Sequence, residues 1–346
     1  MNRSYLYDKI LGCLVTAGMG DAIGAPSEAM SSIEIIKKYG GRIETFIDGS
    51  KNRYSLGNHI AEITDDTTQM YEMAKAVAHC GGKLTVKAAA DALIAWSEGY
   101  PKFYPGSAGP TTLLVIKELK DGKDPLEVGM ASGEYFRGTT NGAVMRVAAA
   151  GLVFPGNWQS ALENAIVMCT PSHATQHAFA GAAAVSCGIA EALRPAPDML
   201  AIIKACIWGA KQGEKRGLET ARKACGAGVA PMILRAVKAA LNCDSMPEAE
   251  EMIERQVGND VSVQASVASA VGLFAAANGD PVKTILGGAN IGGDTDTIAC
   301  IAGMLAGTYK GFSALPESWW LQFKQVNSMM DFEDISRQLA LIAEKN

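Results

Sequence analysis

A run of glycine, aspartate and threonine late in the chain has the residue types that bind hard metal ions. Residues 292–297 read Gly-Gly-Asp-Thr-Asp-Thr, and the glycines let the backbone turn tightly and approach a ligand closely. Ile298, Ile301 and Leu305 follow at helical spacing, so Asp294 and Asp296 stand at the start of a helix that we predict to be buried. One residue suffices to cap a helix, whereas four oxygen-bearing side chains stand here in a row. The pattern favours a site for Mg²⁺, Mn²⁺ or Ca²⁺, with a cap and solvated loop as the alternative.

A second cluster of the same composition stands earlier, at Thr64, Asp65 and Asp66. Met70 and Met73 follow at helical spacing, so this cluster also begins a helix. Two adjacent carboxylates exceed what capping requires, and their repulsion costs free energy unless a cation or strong donors offset it. The dipole of the helix also reduces this repulsion, so the cluster by itself is compatible with ordinary capping.

A further carboxylate follows a glycine-rich stretch near the N-terminus. Apolar residues at helical spacing predict a helix over residues 5–16, and Gly18, Gly20, Gly24 and a proline then predict a tight loop that ends at Glu28. A loop of this kind is suited to placing a catalytic carboxylate, although a helix-start glutamate or a surface charge gives the same pattern. Asp21, within the stretch, is interpreted as a structural cap for the loop.

The segment Gly138, Thr139, Thr140 and Asn141 offers backbone amides and short polar side chains that suit a phosphate or a ribose. It contains no lysine or arginine cluster, and its Asn-Gly end is also an ordinary turn signal. His173 stands at the predicted start of an alanine-rich helix. A single histidine at such a position is more often structural or exposed than a ligand contact.

The segments between these motifs predict helices. Residues 40–60 instead hold many glycines, which predicts a long irregular region with a short hairpin near residues 43–47 that could cover a site. The chain shows no linker, low-complexity tract or fixed-period repeat, so we predict one all-α domain over residues 1–346. The further predicted helices cover residues 84–98, 111–120, 158–168, 174–194, 199–211, 215–240, 247–257, 264–278, 281–288 and 331–344, with another beginning at Pro316.

The composition excludes several classes of protein. Hydrophobic residues make up 48% and charged residues 19% of the chain, with abundant alanine and glycine, which favours closely packed helices. The net charge of −5 without a long basic run argues against nucleic acid as a partner. No apolar run of about 18 residues lacks polar interruption, so we predict no membrane span. The eight cysteines are dispersed without a CxxC pair, which indicates reduced thiols and a cytoplasmic location.

Taken in order, four of these segments resemble the ADP-ribosylglycohydrolase family, which includes hydrolases that remove ADP-ribose from dinitrogen reductase and from other acceptors. The segments are residues 20–24 with Glu28, residues 64–67, residues 141–146 and residues 292–297. The resemblance implies a compact, single-domain, all-α bundle with a dinuclear metal cleft. It also implies hydrolysis of an N- or O-glycosidic bond at C1 of ADP-ribose, in an ADP-ribosylated protein or a small conjugate.

The resemblance further implies two divalent cations, Mg²⁺ or Mn²⁺. One ion would be held by Thr64, Asp65 and Asp66, and the other by Asp294 and Thr297, with Asp296 bridging the two.

The same resemblance assigns roles in catalysis and substrate binding. Glu28 would act as proton donor or metal-switching carboxylate, and Asp65 would activate water, although the sequence does not decide which is acid and which is base. Residues 138–141 resemble the family's phosphate- and ribose-binding loop. His173 would lie near the distal ribose or the adenine.

Other function classes remain open from the sequence. No aromatic platform for a modified protein side chain is evident, so the substrate could be a simpler riboside or nucleoside. A two-metal nucleotide phosphatase would release inorganic phosphate instead of a sugar. A catalytically silent relative that binds ADP-ribose or serves a structural role is a third alternative, but the four intact segments favour an enzyme.

Overall fold

The computed structural model describes residues 4–55, 57–133 and 137–346. Within these ranges the chain forms seventeen α-helices and no β-strand, which confirms the predicted all-α fold. The helices are α1 Tyr5–Gly24, α2 Ser32–Tyr39, α3 Asp65–His79, α4 Val86–Gly99, α5 Pro110–Lys120, α6 Pro125–Met130, α7 Ala148–Leu152, α8 Trp158–Cys169, α9 Gln176–Ala192, α10 Met199–Thr220, α11 Val229–Leu241, α12 Met246–Val257, α13 Val263–Ala276, α14 Pro281–Asn290, α15 Thr295–Lys310, α16 Glu317–Val326 and α17 Phe332–Ala343.

One continuous core of apolar side chains joins these helices into a compact bundle. The helices α1 and α15 pack against each other at its centre, and α3, α9, α13, α14 and α17 surround this pair. The alanine-rich α9 is buried along its entire length and packs against α10. Most helices begin at a serine, threonine, asparagine or aspartate whose side chain accepts a hydrogen bond from a first-turn amide, which satisfies donors that the helix itself leaves open.

The glycines of the N-terminal stretch lie inside α1, so the predicted loop is wrong over residues 18–24, and the chain leaves the α-helix only at residues 25–28. The helix continues to Gly24, and its glycines form a seam against the backbone of α15. A Cβ added at Gly20 would lie 2.4 Å from the carbonyl oxygen of Ala299, and one at Gly303 would lie 2.6 Å from that of Thr16. Small residues allow two helix axes to approach closely. In the sequence, glycines that serve this purpose have the same spacing as glycines in a loop, so the two cannot be distinguished.

Three other local predictions differ from the structure. The predicted helix over residues 215–240 is interrupted, because α10 runs on to Thr220 and a connection containing Gly226 (φ 138°) precedes α11. The short helices α2 and α6 were not predicted, although Ser31 and Glu34 form a capping box at the start of α2. Residues 43–47 form no hairpin, since the amide and the carbonyl of Ile43 bond to the Asn290 side chain instead.

The helix α1 bears on the prediction of no membrane span. The stretch Tyr5–Ser27 is long and apolar enough to cross a membrane by length and composition. The whole of its apolar window is buried inside the protein, where its side chains pack into the central core. The stretch is therefore a core helix of the bundle, and the absence of a membrane span stays a prediction.

The glycine seam generates a stability prediction. Gly20→Ala would force a methyl group into the backbone of α15, and overpacking of this kind costs about 1–3 kcal/mol, so we expect a clear fall in the thermal unfolding midpoint. Gly99→Ala is the matched control, because Gly99 ends α4 with no atom near its added Cβ, and it should leave the midpoint unchanged or slightly raised. Equal unfolding midpoints for the two variants would contradict the close packing of the α1 glycines against α15.

Candidate active site

An aspartate of α1 organises the start of α3. Asp21 is fully buried, and its carboxylate accepts hydrogen bonds from the amides of Thr64 (3.0 Å) and Thr67 (3.1 Å) and from the Thr67 hydroxyl. Burial, followed by the charge of Asp296, raises the pKa of Asp21 to about 7, although these donors act in the opposite direction. Asp21 therefore accepts hydrogen bonds at the start of α3, and its interpretation as a cap for a loop is wrong.

A short backbone pairing brings Glu28 to the start of α15. The amide of Ala29 donates to the carbonyl of Gly293, and the amide of Gly293 donates to that of Met30, both at 2.8 Å. The side chain of Asn52 donates to the carbonyl of Glu28 at 2.8 Å. Gly293 has a left-handed backbone (φ 71°), and a Cβ there would lie 2.2 Å from the carbonyl oxygen of Asn259. Gly293 therefore allows two backbone segments to approach closely, and close approach of these glycines to a ligand stays a prediction.

The pairing produces a cluster of three carboxylates from two distant parts of the chain. Oxygen atoms of Glu28, Asp294 and Asp296 all lie within 4.8 Å of one another. Asp294 is the residue before α15, and its carboxylate accepts no capping hydrogen bond from a backbone amide of the first turn. Carboxylates that converge without being needed as caps are an appropriate ligand set for a divalent cation.

The two predicted metal clusters also share one electrostatic environment. Burial raises the pKa of Glu28, Asp65, Asp66 and Asp294, and the charge of Asp296 is the next cause for each of the four. The charge of Asp296 thus affects the pKa of residues in both clusters, and its role as a bridge between two metal ions stays a prediction.

Two acidic oxygens at this site test whether the residues fit a cation. Glu28 Oε2 and Asp66 Oδ2 are buried, and neither has a hydrogen-bond partner within the described parts of the chain. A buried carboxylate oxygen without a donor costs free energy, and divalent cations bound by these residues would offset that cost. The residues therefore fit the predicted metals.

The threonines of the two clusters make local contacts. The Thr64 hydroxyl accepts from the amide of Asp66 (3.3 Å), so it caps α3, and the Thr297 side chain bonds to Asp294. Both residues are buried beside the acidic groups. Their roles as metal ligands stay predictions.

The loop at residues 138–141 is attached to the start of α13. The amide of Asn141 donates to the carbonyl of Val261 (2.9 Å), and the carbonyl of Thr139 accepts from the amide of Val263 (3.1 Å). The Asn141 side chain donates to Ser266 (2.8 Å) and to the carboxylate of Asp294. Asn141 therefore connects the predicted substrate loop directly to the acidic cluster, and its own amide is occupied within the protein.

A chain of buried hydrogen bonds forms a second connection between the loop and the acidic residues. Gln69 donates to Asp65 Oδ2 (2.9 Å) and accepts from Arg146 Nη1 (2.7 Å). Arg146 Nη2 donates to the Ser172 hydroxyl, which contacts His173 Nδ1 at 2.9 Å.

The chain ends where His173 Nε2 contacts the Thr140 hydroxyl at 3.1 Å. The imidazole is completely buried, and both of its nitrogens are hydrogen-bonded. Burial and the charge of Arg146 lower the pKa of His173 to about 3, so the ring is neutral at physiological pH. In this structure His173 supports Thr140, and direct contact between His173 and a substrate stays a prediction.

Arg146 was not identified as a site residue, although it stands within the motif at residues 141–146. Its side chain is 0% exposed, and burial lowers its pKa to about 10, while Asp65 and Cys169 act in the opposite direction. The available signal was an arginine followed by the apolar run Val147 to Ala150, which places a cation where the chain is otherwise buried. No comparable sequence pattern identified Gln69 as a residue of the site.

The fork formed by Arg146 generates the next prediction. Arg146→Lys keeps the positive charge but cannot serve Gln69 and Ser172 in one plane, and hydrogen bonds to charged groups contribute about 1.5–3 kcal/mol each. We expect the thermal unfolding midpoint to fall by about 4 °C or more. Arg255→Lys, on the exposed face of α12, is the control and should change the midpoint little. A midpoint equal to that of the control would show that the fork adds no stability.

Comparisons with known proteins agree with the fold and identify the family. A model of the ADP-ribosylglycohydrolase family matches residues 2–345. The chain is 29% identical over 335 residues to the uncharacterized protein YegU of Escherichia coli K12, with 96% of each chain covered. It is 26% identical over 325 residues to ADP-ribosylhydrolase ARH3 of Homo sapiens, with 89% of this chain and 87% of that protein covered.

A solved structure, of an ADP-ribosylglycohydrolase-related protein complex, has a TM-score of 0.70 against this chain at 20% identity and covers 99% of this chain and 100% of its own. At this identity the likeness shows the fold. The family match covers nearly the whole sequence, so the resemblance carried by the four segments is confirmed, and so is the prediction of an enzyme. The chain belongs to the ADP-ribosylglycohydrolase family of glycosidases.

Proposed function

We propose that the protein hydrolyses the N- or O-glycosidic bond at C1 of ADP-ribose in an ADP-ribosylated protein or a small conjugate, with two bound divalent cations. The observation that carries the proposal is the cluster of Glu28, Asp294 and Asp296, joined through Asn141 to the loop at residues 138–141. The cluster suits the ribose with the scissile bond, and the loop suits the phosphates. The name of the relative ARH3, an ADP-ribosylhydrolase, supports this substrate class.

The proposed cations are Mg²⁺ or Mn²⁺, held by the two oxygen clusters. Their ligands would be Thr64, Asp65 and Asp66 on one side and Asp294, Asp296 and Thr297 on the other, with the unsatisfied oxygen of Glu28 within the same group. When bound, such cations supply positive charge that offsets the carboxylates and help to orient hydroxyl groups and water.

Glu28 and Asp65 are the proposed proton donor and acceptor. Burial and neighbouring carboxylates raise the pKa of Glu28 and of Asp65 alike; a protonated Glu28 can donate its proton to the leaving nitrogen or oxygen, whereas Asp65 has to be ionised to act as the acceptor. Asp65 is held in place by Gln69 and would accept a proton from the water that adds to C1. The remaining carboxylate charge would stabilise positive charge that develops at C1.

Residues Gly138, Thr139 and Thr140 are the proposed contacts for the diphosphate. His173 Nε2 contacts the Thr140 hydroxyl at 3.1 Å, and the Thr175 hydroxyl donates to the carbonyl of Gly138 at 2.6 Å. A loop held at both ends needs little ordering when a ligand binds, which lowers the entropic cost of binding.

Product analysis tests the proposed function directly. Purified protein with Mg²⁺ or Mn²⁺ would be incubated with ADP-ribosyl-arginine, ADP-ribosyl-serine, a simple riboside and a nucleoside monophosphate. We expect release of free ADP-ribose from at least one ADP-ribosyl conjugate. Cleavage of the riboside with no ADP-ribose release would favour the simpler glycosidase, and inorganic phosphate from the monophosphate would indicate a phosphatase.

Replacement of Glu28 separates catalysis from binding. Glu28→Gln should lower turnover by about 10²-fold or more, the usual scale for a general acid or base, while the affinity for ADP-ribose changes little. Glu44→Gln is the control, because Glu44 is exposed in the irregular region after α2, and it should have normal turnover. Near-normal turnover in Glu28→Gln would exclude Glu28 from the chemistry.

Removal of the charge of Asp296 tests the metal arrangement. Asp296→Asn should bind fewer than two ions per chain, or bind them more weakly, because the proposed bridge between the clusters is lost. Metal analysis after dialysis measures the stoichiometry, with Asp244→Asn, an exposed position before α12, as the control. Two tightly held ions in Asp296→Asn would refute the bridging role.

The raised pKa values predict how stability depends on pH. Protonated Asp21 is favoured in the folded protein, so the stability it contributes is present below the ordinary carboxyl pKa near 4 and is lost as pH rises through about 7. Glu28, Asp65, Asp66 and Asp294 shift in the same direction. The metal-free protein should therefore unfold at lower temperature at pH 8 than at pH 5.

Cations that replace these protons should reverse the trend. We expect Mg²⁺ or Mn²⁺ to raise the unfolding midpoint more at pH 8 than at pH 5, measured by differential scanning fluorimetry. A metal effect that is independent of pH would contradict proton displacement at this site.

A further inference from the structure

The tertiary structure brings Arg222, at the start of the connection between α10 and α11, to the loop at residues 138–141. Its amide donates to the carbonyl of Ala174 (3.0 Å), which pairs this connection with the segment that precedes α9. Its Nη2 donates to the carbonyl of Arg137. A Cβ added at Gly138 would lie 3.6 Å from that Nη2, so the guanidinium is within reach of a ligand that rests on this loop.

The charge of Arg222 has no acidic counterpart among the described residues. Arg137, the neighbouring cation, is buried and already forms an ion pair with Glu118. The Nε atoms of both arginines are buried without a hydrogen-bond partner, and burial and the charge of Arg137 lower the pKa of Arg222. The two guanidinium groups therefore have one carboxylate partner in total, Glu118. This leaves an excess of positive charge and unused N–H donors at the edge of the loop.

We propose that Arg222 determines substrate specificity by binding a phosphoryl group of the ligand at Gly138. The inference rests on the proposed function, since it places the diphosphate of ADP-ribose at this end of the site. A planar guanidinium fork matches the geometry of phosphoryl oxygens. Gly138 has a left-handed backbone (φ 73°), and a Cβ added there would lie 3.3 Å from Thr175 and 3.6 Å from Arg222, so no side chain at this position separates the loop backbone from the guanidinium.

This assignment supplies a cation that the loop sequence lacks. The Asn141 amide is occupied by Val261, so the loop has fewer free amides for a phosphate than its sequence suggests. A cation contributed from a distant part of the chain provides the charge-assisted bond instead. It would also distinguish a phosphorylated ligand from a nucleoside, because a nucleoside leaves the guanidinium unpaired.

Calorimetric titration of the full chain with ADP-ribose, ADP and adenosine, each with Mg²⁺, tests the proposal. Arg222→Gln should weaken ADP-ribose and ADP binding by roughly tenfold to hundredfold, the scale of one charge-assisted hydrogen bond, and leave adenosine within about twofold. Arg222→Lys keeps the charge without the fork and should show a smaller loss. Lys223→Gln removes a charge from the adjacent exposed position and serves as the control.

The outcomes separate this proposal from the proposed function. Equal weakening of ADP and adenosine would reveal a structural role for Arg222 and overturn the proposal, as would unchanged ADP binding in Arg222→Gln. Cleavage of ADP-ribosyl conjugates with unchanged ADP binding would leave the proposed function intact and remove only the phosphate contact. ADP binding that depends on Arg222, in a protein that cleaves no conjugate, would keep the anion site and reject the proposed reaction.

Discussion

Repulsion among buried carboxylates is the constraint on which the rest of the site depends. Each acidic group beside Asp296 must be neutralised, hydrogen-bonded or paired with a cation. Asp21 receives donors from the start of α3, Asp65 from Gln69 and Asp294 from Asn141. The buried oxygens that these donors leave unsatisfied, on Glu28 and Asp66, indicate where positive charge is needed. Hydrogen-bond donors of the protein therefore position three of the carboxylates. The carboxylate oxygens that have no donor account for the fit of the site to divalent cations.

The glycine seam between α1 and α15 sets the distances within this cluster. Because a Cβ at Gly24 would lie 2.4 Å from the carbonyl oxygen of Thr295, the end of α1 and the start of α15 are in direct contact. Glu28 follows the first helix and Asp296 lies in the first turn of the second, so close packing brings the two carboxylates together. Stability and function thus place the same demand on the glycines, since any side chain there would separate both the helices and the acidic groups.

The hydrogen-bond chain through Arg146 links the acidic cluster to the loop at residues 138–141. Burial of a guanidinium costs free energy unless its N–H groups donate hydrogen bonds. Here Nη1 donates to Gln69 and Nη2 donates to Ser172. Burial and this charge lower the pKa of His173, so the ring that contacts Thr140 is neutral. The acidic half and the loop half of the site are therefore positioned by one buried polar network, as well as by the direct bond between Asn141 and Asp294.

The sequence by itself determined the all-α class, the starts of α3 and α15 and the family, because helical periodicity, caps and short motifs are local patterns. It also identified the acidic residues that converge, since oxygen-rich clusters in excess of capping are visible in the chain. Only the tertiary structure decided that α1 continues through its glycines, that Asp21 caps α3, that Arg146 joins the two halves and that Arg222 lies beside Gly138. These features depend on backbones from distant parts of the chain approaching within contact distance, and no local spacing of residues encodes which segments will meet.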